Sequence, residues 1–107
     1  MNYTNVDKIN AYDNNKIKNL NNLKKLKRLD ARFNCGINNN GIKNINLKKL
    51  NACYNQKITD VNHMTNLEDL DASYNCGIDD FGIKNLNLKK LNARNNSKIT
   101  NVQSNFF

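Results

Sequence analysis

Leu67–Leu88 reads LEDLDASYNCGIDDFGIKNLNL. Inside it runs the cadence Leu-x-x-Leu-x-Ala-x-x-Asn-x-x-Ile, carried by Leu67, Leu70, Ala72, Asn75 and Ile78. The same cadence recurs in Val6–Ile17 (VDKINAYDNNKI), Leu26–Ile37 (LKRLDARFNCGI), Leu47–Ile58 (LKKLNACYNQKI) and Leu88–Ile99 (LKKLNARNNSKI). From Ile9 to Leu29, Leu50, Leu70 and Leu91 the spacings alternate 20, 21, 20, 21. A constant period of this length marks a solenoid, in which each repeat buries its apolar face only against its neighbours.

A second period overlies the first. Offset by 41 residues, Leu26–Val61 and Leu67–Val102 are identical at 24 of 36 positions, as duplication of a two-turn block would leave them. The second halves of the repeats carry the alternation. After Ile17 and Ile58 come KNLNNLKK and TDVNHMTN; after Ile37 and Ile78 come NNNGIKNIN and DDFGIKNLN, one residue longer. Gly41 and Gly82 occupy the extra turn, and a positive φ that other residues resist is the expected reason for them. The first halves alternate polar and apolar, as in Lys49-Leu50-Asn51-Ala52-Cys53, and read as short strands.

Composition alone points elsewhere. Of 107 residues 38% are hydrophobic, Pro and Trp are absent, Asn is the commonest residue and the net charge is +8. Such polarity favours disorder, yet a disordered tract has no reason to hold apolar residues at fixed intervals. The expectation is one domain, 1–107, with repeats at 6–25, 26–46, 47–66, 67–87 and 88–102, and a C-terminal cap at 103–107 in which Phe106 and Phe107 fold over the last turn. Many surface Asn and Lys residues read as the coding bias of an AT-rich genome.

The pattern resembles the leucine-rich repeat, over essentially Val6–Val102. The resemblance implies an α/β solenoid: a horseshoe arc with a five-stranded parallel concave sheet, 3₁₀ or extended convex segments, and no full helices. Short Asn-rich repeats of this kind are similar to those of AT-rich genomes such as giant DNA viruses or amoebae. The chain departs from the usual pattern by placing Ala (Ala11, Ala31, Ala52, Ala72, Ala93) where a second strand leucine is common. Its Asn also stands three residues before the next Ile. That spacing looks like the cysteine-containing subclass found in substrate-recruiting ligase subunits, with Asn in place of the signature Cys; only the loop geometry is carried over.

Stacking turns equivalent positions into columns. Ile9, Leu29, Leu50, Leu70 and Leu91 point inward with the alanines. Asn14, Asn34, Asn55, Asn75 and Asn96 read as a buried hydrogen-bonded ladder, since a carboxamide both donates and accepts. The outward columns differ most between copies. They place Arg32, Phe33, Lys49, Asn51, Cys53, Tyr54, Asp69, Asp71, Ser73, Tyr74 and Arg94 on the concave face as candidate partner-binding residues. The aromatic row Phe33, Tyr54 and Tyr74 beside Arg32 and Asp71 has the composition of an interface hot spot. It equally reads as rings packing on one another.

These columns weigh on the function classes. One His and no nucleophile–base pair assemble no catalytic constellation, and Asp79-Asp80 reads as turn chemistry, so no enzyme is expected. No metal or other cofactor is expected either: His63 stands alone, and Cys35 and Cys76, two turns apart at about 5 Å per strand, sit beyond disulfide range. Three unpaired cysteines suit a reducing compartment. No apolar leader follows Met1 and no run nears the roughly 20 apolar residues that span a bilayer. The expectation is a cytoplasmic protein, in the host cytoplasm if the source is viral, with no membrane partner and with Asn2-Tyr3-Thr4 and Asn95-Asn96-Ser97 as chance sequons. A protein partner on the concave face is the leading expectation. Nucleic acid has the +8 charge and the pairs Lys24-Lys25, Lys48-Lys49 and Lys89-Lys90 in its favour, but Glu68, Asp69, Asp71, Asp79 and Asp80 break the basic array. Self-association through uncapped ends is the third.

Overall fold

The computed structural model describes residues 5–100; the expected cap at 103–107 and the sequon at Asn2–Thr4 lie outside them. Five strands of three residues each, β1 (Lys8–Asn10), β2 (Arg28–Asp30), β3 (Lys49–Asn51), β4 (Asp69–Asp71) and β5 (Lys90–Asn92), pair in chain order as one parallel sheet. The register aligns Ile9, Leu29, Leu50, Leu70 and Leu91 across it. The chain is a β-solenoid of turns about 20 residues long, and the described residues contain no full helix. The side opposite the sheet holds two 3₁₀ turns, Asn39–Ile42 and Phe81–Ile83, joined by extended segments and tight turns.

Each turn sends the same side chains inward. The strand leucines, the five alanines, Ile37, Ile58, Ile78 and Ile99, and the apolar residues of the second halves (Leu20, Ile42, Val61, Met64) form one continuous core. The alanines are at most 2% exposed, so the thin layer they make is closed by approach of the backbone and not by bulk. Ile9, in the first described turn, is half-buried.

Gly41 and Gly82 do not use a positive φ; no glycine here does. They are present for close approach. A Cβ on Gly41 would lie 1.9 Å from the Lys18 carbonyl oxygen, and one on Gly82 would lie 2.0 Å from that of Thr59. The approach lets the Gly41 and Gly82 carbonyls accept from Leu20 N and Val61 N, both at 2.9 Å.

The expected asparagine ladder holds at two of its five members. Asn55 and Asn96 are buried, but Asn34 and Asn75 are exposed, and Cys35 and Cys76 take the buried slot in their turns. Asn14, with no described turn before it, is also exposed. The chemistry explains the alternation. Asn55 Nδ2 reaches back to the Ala31 and Ile37 carbonyls at 2.8 and 3.3 Å, while its Oδ1 accepts from Lys57 N and Ile58 N. Asn96 does the same for Ala72 and Ile78. One carboxamide thus serves its own turn and the one before, so an asparagine is needed only at every second turn. The intervening thiols make weaker contacts: Cys35 Sγ donates to Ala31 O at 3.2 Å and Cys76 Sγ accepts from Ile78 N at 3.5 Å. In turns two and four Cys35 and Cys76 thus fill the slot that Asn55 and Asn96 fill in turns three and five.

Lysine and glycine follow the same alternation. Lys57 and Lys98 extend over the preceding turns to donate to the Cys35 and Cys76 carbonyls at 3.0 and 3.2 Å. At the equivalent positions Gly36 and Gly77 leave no room for a Cβ, which would meet Asn15 O at 2.6 Å and Gln56 O at 2.5 Å. The solenoid is therefore built from two kinds of turn, an asparagine–lysine kind and a cysteine–glycine kind, that alternate and interlock.

Asparagine abundance is also more than coding bias. On the side opposite the sheet, Asn21 Oδ1 accepts from Asn44 N, Asn62 Oδ1 from Asn85 N and Asn46 Oδ1 from Asn66 N, each joining one turn to another. Asn39 bonds Thr59, and Asp80 bonds Thr100 in the same way. Asp79 accepts from Gly82 N, so the acidic pair does serve the turn. Among the described residues no buried side-chain nitrogen or oxygen lacks a partner.

Candidate functional site

The strands end after three residues for a local reason. In every turn the residue after the inward leucine is Asn or Asp, and its Oδ1 accepts from the backbone N–H two residues on: Asn10 to Tyr12, Asp30 to Arg32, Asn51 to Cys53, Asp71 to Ser73 and Asn92 to Arg94, at 3.0–3.2 Å. These Asx turns carry the chain off the strand line. Asn51 and Asp71, expected as contact residues, are thus half committed to the scaffold. The unbroken Asn/Asp column was the signal for that role.

The next residue outward adopts a left-handed conformation in all five turns, with φ of 54° at Asp13, 64° at Phe33, 63° at Tyr54, 53° at Tyr74 and 56° at Asn95. Asp and Asn tolerate this region; aromatic residues seldom enter it. The turn itself imposes the conformation, since Asp13 and Asn95 share it without a ring, and the three aromatics it places there stack. Phe33 and Tyr54 lie 4.8 Å apart at 25°, Tyr54 and Tyr74 5.4 Å apart at 15°, and Tyr12 meets Phe33 edge-on at 5.2 Å. Such pairs contribute about 0.5–1.5 kcal/mol each, against about 1–3 kcal/mol for each strained residue. The rings both pack on one another and stay exposed: Tyr12 is 46%, Phe33 39% and Tyr54 44% exposed, with Tyr74 half-buried. Tyr12, one column nearer the strands, completes a ridge of four where the sequence showed three.

Over the strand residues themselves runs an open groove across the sheet. One part, about 230 Å³, is lined by Lys8, Arg28, Asp30, Lys49 and Asn51. The next, about 440 Å³, is lined by Lys49, Asn51, Asp69, Asp71, Lys90 and Asn92. The two parts of the groove adjoin at Lys49 and Asn51, which line both.

Charge is unevenly spent along it. Arg32 forks onto Asp30, with Nε 2.9 and 3.0 Å from the two oxygens and Nη2 2.8 Å from Oδ2, and its guanidinium lies 4.7 Å from the centre of the Tyr12 ring. Bonding to Asp30 raises the Arg32 pKa further. Asp71 takes the hydroxyl of Ser73, which is 1% exposed and so unavailable for contact, unlike the expectation that it lines the face. Lys49–Asp69 and Arg28–Asp7 are open pairs at 3.9 Å, and Lys89–Glu68 lies at 3.3 Å. Lys8, Lys90 and Arg94 make no ion pair among the described residues. Lys8 and Lys90 belong to the face but were missed as candidates; their column, whose members are Lys8, Arg28, Lys49, Asp69 and Lys90, already marked them.

Of the three thiols, Cys53 is half-buried on the sheet face and Cys35 and Cys76 are in the core; all are free. Burial pushes the Cys35 thiol up, and that of Cys76 up to about 11. His63 rests its Nε2 2.9 Å from the Ile42 carbonyl on the far side. Among the described residues no three His, Cys, Asp or Glu side chains gather as metal ligands, and no helix is long and apolar enough to cross a membrane.

No family model, no curated protein and no solved structure matches the chain.

Proposed function

We propose that the chain is an interaction module of the leucine-rich-repeat kind, which binds a protein partner over the outer face of its sheet. The observation that carries this reading is the groove itself. It runs the length of the sheet along the first strand column, whose charge changes from Lys8, Arg28 and Lys49 to Asp69 and back to Lys90, and an exposed aromatic ridge follows the strand ends. A solenoid leaves such columns free to vary because they carry none of the packing, and aromatic and arginine side chains supply most interface energy.

The test uses the full chain as bait in an extract of the cell that makes it. Tyr54→Asn suits it, because Asn tolerates the left-handed backbone that Tyr54 occupies (φ 63°) and Asn95 already stands at the equivalent place. Arg94→Glu reverses an exposed charge of the same face, and Lys43→Glu does so on the opposite side. Capture should fall at least fivefold with the first two and stay unchanged with the third. If both face variants retain the partner at the wild-type level, the reading is wrong.

A further inference from the structure

We infer that the partner segment for this groove is a helix with an acidic stripe, lying across the first three strands. The inference rests on the partner-binding reading of the face and adds the chemistry and shape of what lies there. Charge comes first. Over turns one to three the groove presents Lys8, Arg28 and Lys49 in one register row. The one carboxylate lining that part, Asp30, is already held by Arg32. Lys8 has no ion-pair partner among the described residues, and Arg28 and Lys49 have only open partners at 3.9 Å, so all three can accept new anionic neighbours.

Spacing selects the helix. Strands repeat at about 4.8 Å, so the row of three cations spans about 10 Å. Carboxylates one and two helical turns along, at 5.4 Å per turn, span about 11 Å. On an extended chain, carboxylates at alternate residues would span about 13–14 Å and drift out of step.

The rings also argue for a peptide over a nucleic acid. Bases bind single-strand readers by stacking on free aromatic faces. Here Phe33, Tyr54 and Tyr74 stack on each other and Arg32 lies over Tyr12, which leaves mainly ring edges to solvent. Farther along, Asp69 and Asp71 would repel a phosphate backbone.

Fluorescence anisotropy with synthetic probes tests the inference on the full chain. The probes are a labelled helical peptide with Glu at i, i+4 and i+7, a scrambled peptide of the same composition, its Lys-for-Glu counterpart, and a single-stranded oligonucleotide. The expected result is micromolar binding of the first peptide and at least tenfold weaker binding of the other three. Lys8→Glu and Lys49→Glu should each weaken the helical peptide at least tenfold, and Lys43→Glu less than twofold, with circular dichroism unchanged in all three. Equal binding of the scrambled peptide, an equal loss with Lys43→Glu, or preference for the oligonucleotide would overturn it. If no peptide binds while the native partner is still captured in a manner sensitive to Tyr54→Asn and Arg94→Glu, the acidic-helix inference falls and the partner-binding face stands.

Discussion

Asn55 places its carboxamide between two turns, donating to Ala31 O and Ile37 O of the turn before and accepting from Lys57 N and Ile58 N of its own. All of this happens at 1% exposure. Replacing it by Ala leaves buried backbone groups with no partner and no easy route for water. An unmet buried group costs about 1–3 kcal/mol, so Asn55→Ala should lose at least about 3 kcal/mol in a urea titration. Asn34 has the same place in the repeat cadence but lies at the surface, and Asn34→Ala should change stability by no more than about 0.5 kcal/mol. Equal losses for the two would mean that the ladder runs through every turn after all. The contrast also shows where sequence reasoning stops at this scale. One-letter columns put Asn34 and Asn55 together; which of them turns inward depends on the residue that follows. Cys35 is small and apolar enough to take the buried slot, whereas Gln56 is polar and stays outside.

At the scale of the element, the repeat cadence made the strands, their register and the missing helices legible. Every inward leucine is paired with the next as the spacing required. Less visible was why each strand is so short. That follows from an Asn or Asp in every third strand position, a column which reads as surface polarity until its Oδ1 is seen to close an Asx turn. The glycines were legible as necessary, but for a different reason. A glycine that serves a positive φ tolerates Asn or Asp in its place; one that serves close approach tolerates nothing larger. Gly82→Ala would put a methyl group about where the Thr59 carbonyl oxygen lies, forcing the 3₁₀ turn Phe81–Ile83 outward and stretching the Val61 N to Gly82 O bond. Over-packing of this kind typically costs about 1–3 kcal/mol. Guanidinium melts of Gly82→Ala and Gly82→Asn should both show it, with Asn the worse. An Asn variant as stable as the wild type would mean that backbone conformation, not space, is what the glycine provides.

Across the whole molecule the decisive quantity is the fit between turns, because each turn touches only its neighbours. The 41-residue offset in the sequence is the trace of that fit. An asparagine–lysine turn reaches back for carbonyls that a cysteine–glycine turn presents, and a cysteine–glycine turn fits against its predecessor because Gly36 and Gly77 let the backbones close. Turns of one kind never meet each other in the described chain. Duplicating residues 26–66 in place adds one turn of each kind and makes only junctions of the native kind. Such a seven-turn chain should melt higher than the parent, and its denaturant slope should rise with the extra surface buried. Duplicating residues 47–66 alone adds a single asparagine–lysine turn behind another of its kind. There Lys57 of the second copy stands where Gly77 natively fits against Gln56 of the turn before, and the asparagine of the second copy faces a slot already filled by a carboxamide instead of a thiol. That six-turn chain should melt below the parent despite being longer. If the single-turn insertion stabilises as well as the paired one, the turns are interchangeable and the two-turn period is only a record of descent.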